Sequence, residues 1–103
     1  MTPEISETRE QEIIRAGKAR EILENELFKG AVRAIEESLF FGMRQAAIKD
    51  SELREKLAVR YAVLHDLIGQ IRIHIETGEL AQEEIRRRTM AEKIKESFNS
   101  LVT

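Results

Sequence analysis

His65 and His74 are the residues of this chain best suited to hold a metal ion or to move a proton near neutral pH. They lie nine positions apart, about 900° of rotation on a helix, which sets them on opposite faces. A di-iron helical bundle needs a glutamate three residues before each histidine, and those positions hold Ala62 and Ile71. The HExxH zinc pattern is missing too. The serines (6, 38, 51, 97 and 100) sit in no strand–turn–helix elbow, and the five glycines are isolated, so neither a phosphate loop nor a dinucleotide fingerprint occurs. The expectation is no catalytic residue, no metal, no cofactor and no small-molecule substrate, hence not an enzyme.

The concentrated positive charge is Arg86-Arg87-Arg88. Successive residues fan out around a helix, so the three do not share a face. Glu83 and Glu84 stand three and four positions before them, the spacing of helix-surface ion pairs. One reading is a solvated, internally balanced helix segment; the other is a contact with nucleic acid or an acidic partner. Net charge is −2, from 17 basic and 19 acidic residues. Residues 1–51 hold 8 and 10 of these and residues 52–103 hold 9 and 9, so neither half is a basic arm that would bind nucleic acid by bulk charge.

The elements that would carry these residues are helices. The 103 residues make one domain by size. Cysteine is absent, so no disulfide or thiol chemistry enters. Met1 to Glu10 lacks the pattern of a signal peptide, and no uncharged run approaches a membrane span. The expected location is the cytosol, which includes that of a cell infected by a virus. Thr8 with Gln11 fits a capping box and predicts a first helix over 9–25, after a flexible leader over 1–8. Its stripe, Ile13, Ala16, Ala19 and Leu23, is narrow. Asn25 is a cap or hinge before a second helix over 26–47, whose apolar residues Phe28, Val32, Ile35, Leu39 and Met43 keep helical spacing. Asp50 or Ser51 would cap a third helix over 51–77, in which Leu57, Tyr61, Leu64, Ile68, Ile71 and Ile75 recur as a heptad seam. Val59, Val63 and Leu67 form a second apolar strip beside it. Thr77-Gly78 predicts the end of that helix, because glycine takes the left-handed C′ conformation freely. A fourth helix over 80–100 would carry the thin stripe Met90, Ile94, Phe98 and Leu101, solvated at first and docked or partner-binding near its end. The resulting division is a helical core over 9–78 and a polar helix or tail over 79–103.

The block Gly17-Lys18-Ala19-Arg20, followed by Leu23-Glu24-Asn25-Glu26-Leu27-Phe28, resembles the opening of a small helical protein family encoded by tailed bacteriophages and prophages. Asp50 with Arg54-Glu55, then His74, then Thr77-Gly78-Glu79-Leu80-Ala81 match in the same order, so the resemblance covers roughly Gly17 to Ala81. Members often carry Trp near the end of the second helix, where this chain has Phe41 to Met43, and they tend to stop soon after the Leu80 region. Such genes usually lie among those for virion assembly and DNA packaging. The resemblance therefore implies a component of phage particle assembly without an assigned reaction, located in the cytoplasm of a host cell or in the virion.

Taken together, the expected fold is all-α, a small bundle or extended hairpin of three to four helices that forms oligomers. The expected function is structural or assembly work through helix–helix contacts, with itself or with other virion or assembly proteins. Phe40, Phe41, Tyr61, Leu64, Ile68, Ile71 and Ile75 are the candidate interface, and Arg86, Arg87 and Arg88 the candidate nucleic-acid contact. A DNA-packaging or regulatory protein using that arginine cluster, and a small inhibitor or adaptor of a host protein, are the alternatives. No membrane contact is expected.

Overall fold

The computed structural model describes residues 3–102, with side chains from Thr8 onward. Three helices follow one another: α1 over Pro3–Glu24, α2 over Glu26–Gln45 and α3 over Ser51–Val102. No strand occurs among the described residues. The fold is all-α.

Helix α1 starts at Pro3, ahead of the Thr8 cap expected from the capping-box pattern. Proline suits a first helical position, where its missing N–H would have had no partner. The part of the predicted 1–8 leader from Pro3 on is thus helical, and Met1 and Thr2 lie outside the described residues. The α1–α2 break falls at Asn25, as its residue type suggests. Its backbone is extended, and its side-chain oxygen accepts a hydrogen bond from the Phe28 N–H at 2.9 Å, which satisfies one of the orphan donors of α2. Between α2 and α3 the chain turns over residues 46–50. Asp50 Oδ1 accepts from the Leu53 N–H at 3.1 Å and so caps α3, while Arg54 Nη2 donates to the Ile48 carbonyl at 2.6 Å.

The predicted stop at Thr77-Gly78 does not occur. Helix α3 runs through it for 52 residues, so the predicted third and fourth helices are one, and no glycine has a positive φ among the described residues. Gly78 is buried under α1 instead. A Cβ built on it would fall onto the Ala16 Cβ and meet the Glu12 carbonyl oxygen at 3.0 Å. Glycine here serves close helix approach rather than chain reversal.

The chain forms two compact units, one grouping residues up to Lys18 with those from His74 onward, the other Ala19–Ile73. The first is an antiparallel helix pair. Its apolar centre is built from small residues, Ala16 and Ala81, only 1% and 2% exposed, with Gly78 between them. The second unit pairs α2 antiparallel with the first part of α3 and takes in the last turns of α1. Gly42 faces Leu57, where an added Cβ would meet the Leu57 Cδ1 at 3.0 Å, and Leu39, Leu57 and Leu64 are its buried leucines.

Candidate functional site

In the two-helix unit, the arginine cluster is drawn into ion pairs. Arg86 donates to both carboxylate oxygens of Glu83, from Nε at 3.1 Å and Nη2 at 2.7 Å, and Arg87 Nε donates to the same group at 3.2 Å. Held chiefly by the Arg86 hydrogen bonds, the Glu83 carboxyl sits below its ordinary value and the Arg86 guanidinium above its own. Arg88 turns elsewhere, donating to Glu84 Oε1 at 2.9 Å. The other oxygen of Glu84 lies 2.8 Å from Arg9 Nε on α1, a charge contact rather than an aligned hydrogen bond. Arg9 also reaches Glu12 at 3.3 Å. Glu12, Arg9, Glu84 and Arg88 thus form an alternating-charge chain that ties α1 to α3. Arg86 and Arg87 share one carboxylate, and Arg88 belongs to the helix contact.

The same pair of helices corrects the first half of the expectation for 79–103, and near the segment's end the stripe is open rather than docked within the chain. The early part is the packed part, with Ala81 buried and Glu84 held to Arg9, and every residue from Thr89 to Val102 is exposed. Register gives the reason. Ala16 meets Gly78 and Arg9 meets Glu84, so α1 runs back as α3 runs forward. By this antiparallel register the last turns of α3 outrun the described part of α1. Met90, Ile94, Phe98 and Leu101 keep one face, at exposures between 52% and 87%.

In the three-helix unit, the heptad seam divides. Leu57 and Leu64 are buried and Tyr61, Ile68 and Ile71 half-buried. Phe40 stacks on Tyr61 with ring centroids 5.1 Å apart, and Tyr61 on His65 at 4.3 Å. The structure therefore brings Phe40 of α2 and Tyr61 of α3 together, with Leu64 buried on the same helix as Tyr61. Phe41 is exposed and stands apart from them, and Ile75, half-buried, falls in the other unit. What lies open along α3 is the second strip, Val59, Val63 and Leu67. His65 is an aromatic neighbour of Tyr61, and no group of three or more potential metal ligands gathers among the described residues.

A groove of about 320 Å³ opens in this unit, and sequence reading did not single it out. Its floor is Leu23, Phe28, Val32 and Ile68, all half-buried, and its rim is Lys29, Arg33, Arg72 and Glu36. The one signal in the sequence was Lys29 with Arg33, like charges four apart on α2, an arrangement that a helix alone disfavours.

No family model, curated protein or solved structure matches this chain. The geometry offers two kinds of surface arranged for contact: exposed apolar stripes on α3, and a groove with a basic rim. No helix among the described residues is long and apolar enough to cross a membrane.

Proposed function

We propose that this chain is a non-enzymatic structural or assembly protein that works through helix–helix association in an oligomer. The observation that supports it is the stripe Met90, Ile94, Phe98 and Leu101, an amphipathic face on which each side chain is more than half exposed. Stripes of this kind on soluble proteins commonly mark interfaces. The assignment to a tailed phage or prophage, acting in the host cytoplasm or in the particle, draws on the resemblance over Gly17 to Ala81 and on no geometry.

Magnitudes set the strength of the association. Burying a large apolar side chain fully contributes roughly 1.5–3 kcal/mol, so the four of each chain, counted on both copies of a pair, give at most on the order of 12–24 kcal/mol. Bringing two chains together costs about 4–15 kcal/mol. The stripe can therefore support pairing, and Val59, Val63 and Leu67 with Phe41 offer a second surface for larger assembly. The nucleic-acid reading loses ground, because all three arginines of the cluster already face carboxylates.

The deciding experiment is light scattering of the protein at high micromolar concentration, with Phe98→Asp and Phe41→Asp beside it. The wild type is expected as an oligomer. Each variant should keep its helical circular dichroism and lose mass. A wild type that stays monomeric removes the proposal.

A further inference from the structure

Away from the α3 stripe, the groove of the three-helix unit pairs an apolar floor with a basic rim. Its floor is apolar, four side chains each partly open to solvent. Its rim carries three cations against one carboxylate, on a chain whose net charge is negative. Arg33 and Arg72 make no ion pair with any described residue, and Lys29 reaches Glu26 only at 3.9 Å. Arg9, Arg86, Arg87 and Arg88 are held by carboxylates, whereas Arg33 and Arg72, like Arg15, Arg44 and Arg60 elsewhere on the surface, are not. Of these five only Arg33 and Arg72 border the groove's apolar floor. A guanidinium beside apolar surface is poorly hydrated and pairs best with a carboxylate, in the two-pronged geometry that no water reproduces.

The shape narrows the occupant. The last turns of α1 belong to this unit, and Leu23 from those turns lines the groove beside α2 and α3. Phe28 and Val32 stand one turn apart on α2 and face Ile68 on α3, the spacing that receives apolar side chains from a helix laid alongside. A volume of 320 Å³ takes roughly two or three apolar side chains. We infer that this groove is a docking site for an amphipathic helical segment of a partner protein, apolar on the face it buries and lined by glutamate or aspartate that pair with Arg33 and Arg72. The proposal stands on residues distinct from the α3 stripe and holds whether or not the chain forms oligomers.

The probe is a short fluorescein-labelled peptide of leucine at helical spacing flanked by glutamate, with a twin carrying lysine in place of each glutamate. Fluorescence anisotropy with the full-length protein is expected to show binding of the glutamate peptide at least tenfold tighter than of the twin, weakening as salt rises. In the double variant Arg33→Glu with Arg72→Glu the preference should reverse. Both positions are exposed, so helical circular dichroism should hold. The milder Arg33→Gln with Arg72→Gln should abolish discrimination between the peptides without reversing it. Equal binding of both peptides, binding of neither, or a preference unchanged in the double variants overturns the inference. Light scattering of the same samples separates this from the assembly reading. If the arginine variants lower the mass of the wild-type oligomer, the occupant is a second copy and the partner assignment falls.

Discussion

Gly78 of α3 lies against Ala16 of α1 so closely that neither helix has room for another carbon between them. In an open helix, replacing glycine by alanine stabilises by up to about 1 kcal/mol. Here the added methyl overlaps a neighbour that cannot rotate away. Gly78→Ala is expected to destabilise by about 1–3 kcal/mol in urea unfolding, and adding Ala16→Gly should recover part of the loss. Gly30, with nothing within 4 Å of a built Cβ, is the control, and Gly30→Ala should stabilise. Equal gains from both alanine variants would mean that the helices do not approach this closely.

Asn25 stands between α1 and α2, and its side chain is the acceptor for the Phe28 N–H. Asn25→Ala should cost about 1 kcal/mol, within the range of about 0.5–2 for lost caps, and Asn25→Asp should restore most of it. Chemical denaturation of the three proteins checks this. An alanine variant as stable as wild type would show that the bond contributes nothing.

Glu83 accepts from Arg86 and Arg87 and is held below the ordinary carboxylate value. A carboxyl whose folded pKa is depressed adds stability above its unfolded pKa and loses it as pH falls through the folded value. The Glu83 contribution should therefore be intact at neutral pH and fade only below the ordinary carboxylate range. A carboxyl-detected NMR titration is expected to place the Glu83 midpoint lower in wild type than in Arg86→Gln. Identical midpoints would contradict the pairing.

Local chemistry was readable from the chain. The cap at Asn25 and the α3 start at Asp50 depend on residues within one turn, and the α2 rhythm from Phe28 to Met43 needs no distant partner. The Glu83 and Glu84 pairs with the arginines were likewise set by spacing within one helix. Gly78 was misread because a glycine that ends a helix and one that lies under a neighbour look alike. Here the difference is made by Ala16, far away in sequence. For the same reason the stripe from Met90 to Leu101 could be seen, but not which end of its segment packs, since Arg9 decides that. The groove is assembled from three helices, and only the Lys29 and Arg33 spacing hinted at it.

The turns of α3 beyond the reach of α1 have their own hydrogen-bond ladder and little else to hold them. Short helices without tertiary cover are marginal in water, so these turns are expected to interconvert between wound and unwound forms. A partner that reads Met90, Ile94, Phe98 and Leu101 binds only the wound form, and its apparent affinity is scaled by the fraction of time that form exists. A change beside the stripe rather than on it, such as Ser100→Ala, would then raise affinity by raising helicity, without altering any of the four stripe residues.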